Sequence, residues 1–151
     1  MEVKTEAIKE VLGKRGIKEA DVEDVVKIAE SSNVKFKKGD INLGKKKIGD
    51  VTIYAEYTME SGILKKTATA KTAYSHRMVL GDVQSIGDKS EWICAHCNEA
   101  VHQGQVNITY MTVNRSGPAL VCPNCKTAMV EEYLAIKTLA AAEGLFEKKR
   151  A

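Results

Sequence analysis

Rings are scarce in this chain of 151 residues: one Trp, five Tyr and two Phe amount to 5% of it, although the hydrophobic fraction is 44%. A core so short of aromatics has to be filled by Val, Ile, Leu and Ala. No apolar run approaches the roughly 18 to 20 residues that a spanning helix needs, which excludes a helical membrane span and argues against a membrane partner. The opening stretch MEVKTEAIKE is charged and lacks the apolar centre of a secretory signal. Strong charge of one sign is missing too. Lys+Arg number 23 against 20 Asp+Glu, a net +3, too mild to imply a polyanion partner by itself. No internal repeat or low-complexity tract is present. The expectation is a cytoplasmic protein, where thiols stay reduced.

Cysteine is sparse as well, and all four residues, Cys94, Cys97, Cys122 and Cys125, lie in the final 60 or so residues. In a reducing compartment they do not form a disulfide framework, so metal or redox chemistry is favoured. Length allows one domain of ordinary size or two small ones. The Gly/Asp-rich segment GDVQSIGD (81–88) reads as a boundary. It separates an α+β domain at 1–82 from a four-cysteine metal-binding module with a C-terminal helix at 89–151. Charge divides with it: residues 1–82 carry 16 Lys+Arg and 13 Asp+Glu, whereas 83–151 carry 7 of each.

The expected fold class is α+β: an N-terminal helical hairpin plus antiparallel sheet, then a zinc-ribbon or rubredoxin-like module with a terminal helix. In 5–12, Ala7, Ile8, Val11 and Leu12 share a helical face, and Gly13-Lys14-Arg15-Gly16 supplies a stop. In 18–32, Val22, Val25, Val26 and Ala29 recur at helical spacing. Early Glu19, Asp21, Glu23 and Asp24 suit the positive end of the helix dipole. After Ser32 the period becomes two: Val51, Ile53, Ala55 and Tyr57 alternate with Thr52, Tyr54, Glu56 and Thr58, as in a half-buried strand. A turn at Glu60-Ser61-Gly62 and a second strand over 67–79 follow. Farther on, the pattern predicts a strand over 105–113, a turn at Asn114-Arg115-Ser116-Gly117-Pro118, and a helix over 130–148. Tyr133, Ile136, Leu139, Ala140 and Phe146 are its expected contacts, with fraying at Gly144.

The cysteine pattern is C-x-x-C, 24 intervening residues (98–121), then C-P-x-C. A tetrahedral ion needs four ligands converging on one point, and each C-x-x-C turn presents two thiolates to one ion. A hairpin in the spacer brings the two turns together. Metal held by all four cysteines is therefore the leading reading. A thioredoxin-type dithiol at Cys122 and Cys125 needs a thiolate at a helix N-terminus in a βαβ setting, and it leaves the first pair idle. A nucleophile pair of Cys94 or Cys97 with His102 lacks an oxyanion site and an orienting third group. Simple burial does not account for two matched pairs. His96 and His102 read as neighbours of the site rather than ligands. Four thiolates suit zinc or a rubredoxin-type iron. Rubredoxin-like turns usually place glycine after the second cysteine, whereas Asn98 and Lys126 stand there, and lysine tolerates the left-handed conformation less well. Zinc is thus the first expectation and iron the alternative.

The stretch WICAHCNEAV…LVCPNCKTAMVEEYLAIKTLAAAEGLFE (92–147) resembles a small family of anaerobic-prokaryote proteins labelled "redox protein". Trp92 two before Cys94, the C-P-x-C at Cys122 and Cys125, and the helix motif from Glu132 to Lys137 carry the likeness. More loosely the stretch is similar to zinc ribbons and rubredoxins. The resemblance implies metal binding or electron transfer and names no substrate.

Two further features are candidate sites. Lys35, Lys37, Lys38, Lys45, Lys46 and Lys47 crowd residues 35–47, with Phe36 as the single interleaved ring. Such a run suits a phosphate-backbone patch or the ordinary protection of an edge strand. Its glycines do not form a nucleotide loop. Tyr74-Ser75-His76-Arg77 is the dense polar cluster of the N-terminal part, and on a strand it splits between two faces, favouring a structural role over catalysis. The functional expectation is an accessory, non-enzymatic protein with a structural zinc site that docks on a protein partner. One-electron transfer by an iron centre, with a redox enzyme as partner, is the alternative, and nucleic-acid binding is a weaker third.

Overall fold

The structure, a computed structural model, describes residues 1–139 and 142–145. Its strands are β1 (Glu2–Lys4), β2 (Phe36–Lys38), β3 (Ile41–Ile48), β4 (Val51–Ser61), β5 (Lys66–His76), β6 (Val79–Cys94), β7 (Glu99–Tyr110), β8 (Val113–Val121) and β9 (Ala128–Met129). They form one mixed sheet in the order β1-β5-β4-β3-β2-β6-β7-β8-β9. Only the β1–β5 pair is parallel among the described residues. Helices α1 (Lys9–Arg15), α2 (Glu19–Ser32) and α3 (Glu132–Leu134) are short, and α3 continues as a π-helical segment, Ala135–Leu139.

This layout overturns the expected helical hairpin joined to a zinc-ribbon or rubredoxin-like module. Strand accounts for 52% and helix for 25% of the described residues, and the cysteines sit at the ends of long strands in the common sheet. The second helix forms where the apolar period placed it, whereas the first runs through its expected stop, with a 3-10 turn at Glu6–Ile8 followed by α1 up to Arg15; both pack on the sheet, α2 against β3 and β4, and α1 against β5. Their apolar stripes find a better partner there than each other. Val22, Val25, Val26 and Ala29 are all buried on this face. Close approach needs Gly44 of β3, where an added Cβ would lie 2.7 Å from the Ala29 Cβ. Gly16 closes α1 in the left-handed conformation at φ 67°, which glycine adopts without penalty.

β4 behaves as alternation requires on one face and not on the other. Ile53, Ala55 and Tyr57 enter the helix-side core with Ala68, Ala70 and Ala73. A bulge makes this possible on β5: Glu56 pairs with Thr72 and Tyr57 with Ala70, leaving Lys71 extra and bringing Ala70 and Ala73 to one side. The opposite face is buried too. Tyr54 and Tyr74 stack at 5.0 Å between ring centroids and join Phe36, Leu43, Trp92, Val101, Leu120, Met129 and Val130 in a second core. β4 and β5 are therefore buried on both faces rather than half-buried. Few as the rings are, they are concentrated here.

The spacer between the cysteine pairs folds as the β7–β8 hairpin, with its turn at Met111-Thr112, both at positive φ. Asn114 to Pro118 lie within β8, not in a turn. Gly117 is there for packing, because a Cβ on it would collide with the Ile108 side chain. Pro118 is tolerated because β9 covers β8 only at Leu120 and Val121, so its missing N–H faces an open edge. Gly81 and Asp88 lie within β6. In the C-terminal helix, Leu139 is buried and Ile136 packs against the second core, while Tyr133 is exposed. Ala140, Phe146 and the end of the expected helix at Lys148 lie outside the described residues.

Candidate metal centre

β6, β7 and β8 form an antiparallel meander, so β6 and β8 run in the same direction and end at the same edge. Each ends in a cysteine pair. Cys94 is the last residue of β6, and Cys122 follows the last residue of β8. The four Sγ atoms lie within 4.8 Å of one another, and Cys94 and Cys125 are 4.0 Å apart. A tetrahedron with metal–sulfur bonds of about 2.3 Å has sulfur–sulfur edges of about 3.8 Å. The cluster fits one such ion with small adjustments, and all four cysteines are free of disulfides.

The two turns are built alike. Asn98 N donates to Cys94 O at 2.7 Å, and Lys126 N donates to Cys122 O at 2.9 Å. Both donors sit in the left-handed region, Asn98 at φ 56° and Lys126 at φ 64°. The conformation that glycine usually supplies is thus present without glycine. The absence of glycine accordingly ceases to favour zinc over iron.

Each turn is tied to the body of the fold. Ala95 N donates to Lys35 O at 2.9 Å, and Asn33 Nδ2 donates to Ala95 O at 3.1 Å; the residues that follow α2 therefore brace the first turn. On the second, Cys122 N donates to Thr127 O at 3.0 Å, Lys45 Nζ donates to Ala128 O, and Tyr74 Oη donates to Val130 O at 2.7 Å. Cys94 and Cys122 are buried in the second core, Cys97 is partly covered and Cys125 is exposed. Burial pushes the Cys94 thiol up to about 12. Burial acts the same way on Cys125, but hydrogen bonding with Thr127, whose Oγ1 is 3.1 Å from the sulfur, outweighs it and brings this thiol down to about 7. Thr127 carried no signal in the sequence beyond standing two residues after a cysteine.

The other groups lie where their own strands take them. His102 Nδ1 is 2.8 Å from Gly87 O, a β6–β7 contact, and His96 is exposed in the first turn. Neither belongs to the cluster of metal-capable groups among the described residues. The second pair leads into β9 rather than a helix, so the helix N-terminus of a thioredoxin-type dithiol is missing there. Tyr74 and His76 are buried on one face of β5, with Tyr54 Oη 2.9 Å from His76 Nε2. The lysine run is dispersed by strand geometry. Lys35 pairs with Glu30 at 2.6 Å, Lys46 with Asp24 at 3.8 Å, Lys38 lies 5.0 Å over the Trp92 ring, and Lys45 turns inward to Ala128.

The class of protein defined by these features is a β-rich chain with a clustered four-cysteine site compatible with a metal ion. A family model described as a domain of unknown function (DUF7479) matches residues 90–149, which take in both cysteine pairs and the end of β6. No curated protein and no solved structure matches the chain. No helix among the described residues is long and apolar enough to cross a membrane.

Proposed function

We propose that Cys94, Cys97, Cys122 and Cys125 hold one zinc ion in a structural role, and that the chain is a metal-stabilised accessory protein that docks on a protein partner. The observation that carries this reading is the convergence of four sulfurs within 4.8 Å of one another on two turns of matching shape. Four thiolates would close the coordination shell, leaving no open position for a substrate or an activated water. That makes a hydrolytic role the poorest fit. The location favours a structural role: β9 pairs with β8 only at Leu120 and Val121, and an ion joining Cys94 to Cys122 and Cys125 would fasten the second turn to the end of β6.

The second reading is one-electron transfer by an iron centre on the same four thiolates, with a redox enzyme as partner. Two left-handed turns and the exposed edge at Cys125 support it, as does the likeness to the "redox protein" family. Nucleic-acid binding is weakened, because four of the six clustered lysines are engaged with Glu30, Asp24, Trp92 and Ala128.

Elemental analysis and a visible spectrum of anaerobically purified protein separate the first two. Colourless protein with one zinc per chain supports the structural site. Red protein with one iron and a reversible one-electron couple supports electron transfer and refutes zinc. Metal-free protein that stays fully folded refutes both.

A further inference from the structure

Arg115 breaks the pattern of its strand. It pairs with Ile108 across the β7–β8 hairpin, as Gly117 pairs with Val106 and Val113 with Tyr110. Side chains at i and i+2 of a strand, and those directly opposite in a pair, share one face. Arg115 therefore stands on the same side of β8 as Gly117, where an added Cβ would meet the buried Ile108 side chain. That side looks into the second core. Asn114 and Ser116 point the other way and have partners there, Thr109 and Gln84. Arg115 has no acidic partner among the described residues, whereas the Arg15 guanidinium is taken by Glu132.

Beside Arg115 is a slot of about 270 Å³ between the β7–β8 hairpin and the C-terminal helix. Met78, Ile108 and Leu139 line it as buried members of the second core, and Ala142 packs against that core. Val113 and Pro118 add apolar surface, while Arg115 and Thr138 are exposed side chains of the lining. Thr138 and Leu139 reach the slot from the π-helical segment Ala135–Leu139, and π-helical turns are rare and frequently mark functional sites. Apolar walls without neighbouring atoms forfeit dispersion contacts, and such space takes up apolar ligands rather than water. The volume lies at the small end for ligand pockets, which span roughly 300–1,000 Å³.

We propose that this slot binds a small aliphatic carboxylic acid, with its chain against Met78, Ile108 and Leu139 and its carboxylate on the Arg115 guanidinium. The guanidinium is a planar fork that matches a carboxylate bidentately, and one positive charge at an apolar slot matches a monoanion with a carbon tail. No cysteine lines the slot, so this binding does not depend on which metal the four thiolates hold. An inward-pointing charge also discourages pairing at a bare strand edge, and β9 leaves this part of β8 uncovered. Edge protection, however, needs no apolar slot beside the charge.

Methyl NMR of the full chain, titrated with octanoate and separately with 1-octanol, tests this. Saturable shifts are expected at the Ile108, Val113 and Leu139 methyls, with an octanoate Kd of about 1 mM or tighter. Arg115→Gln, a change at an exposed side chain, should weaken octanoate about tenfold and leave 1-octanol unaffected. Ala142→Phe, which fills the slot from the helix side, should abolish the shifts with both compounds. Absence of saturable shifts at these methyls with octanoate overturns the site and leaves Arg115 as edge protection. Octanoate binding unaltered by Ala142→Phe overturns it as well. An equal effect of Arg115→Gln on the two compounds, or no effect, overturns the carboxylate contact.

Discussion

Lys126 occupies a left-handed position at φ 64°, a region that disfavours residues with a Cβ by about 1–2 kcal/mol. The turn holds it there through its own N–H to Cys122 O, and its Nζ donates to Pro123 O at 2.7 Å on the exposed side. Lys126→Gly is expected to raise stability by about 1 kcal/mol, roughly 2–4 °C in thermal midpoint for a chain of this size; an unchanged or lower midpoint would mean that the Nζ contact outweighs the strain. The spacing of the cysteines made the four sulfurs legible in the sequence. The backbone between them was not, because a hydrogen-bonded turn closed around four convergent side chains overrides the preference of a single lysine. His76 offers a pH test. It is 2% exposed, its Nδ1 has no hydrogen-bond partner among the described residues, and its pKa falls from 6.5 to about 4. The folded state therefore binds fewer protons than the unfolded one between these values. Its contribution to stability is complete above pH 6.5 and is lost as pH falls towards 4, on the order of 3 kcal/mol in all. Urea unfolding of His76→Gln should show a shallower loss between pH 6.5 and 4 than the native protein; parallel curves would refute the assignment.

Among the elements, α2 was the most legible, since four apolar residues at helical spacing are all buried on β3 and β4. What the period could not reveal is that the helix lies on a sheet, because the strands that receive it are distant in sequence and β3 is disguised by its lysines. Gly44 is the point of contact. Gly44→Ala would place a methyl 2.7 Å from the Ala29 Cβ, forcing α2 outward at a cost of about 1–3 kcal/mol. Denaturant unfolding should report that loss, and full retention of stability would show that α2 moves freely. Strand β8 is disguised in the sequence for a related reason. Gly117 and Pro118 look like turn residues in isolation, yet one makes room for Ile108 across the strand pair and the other sits on an uncovered edge.

Across the whole molecule, the short β2 joins two blades of one sheet, and the C-terminal segment is fastened back onto the N-terminal half. Glu132 Oε2 accepts from Arg15 at 2.6 Å and from Thr72 Oγ1 at 2.5 Å, linking α3 to the end of α1 and to β5. With the site placed at the end of a meander in that sheet, metal removal is expected to act locally first. Chelation should raise amide exchange at 95–98 and 122–129 while the β4–β5 pair, buried on both faces, keeps its protection. Simultaneous loss of protection in both regions would mean that the ion holds the entire fold. X-ray absorption at the edge of the bound metal decides whether one ion is bound by all four thiolates. One metal per chain with four sulfur neighbours at about 2.3 Å and no lighter ligand is the expected result; nitrogen or oxygen in the shell, or fewer than four sulfurs, would rule the four-thiolate site out.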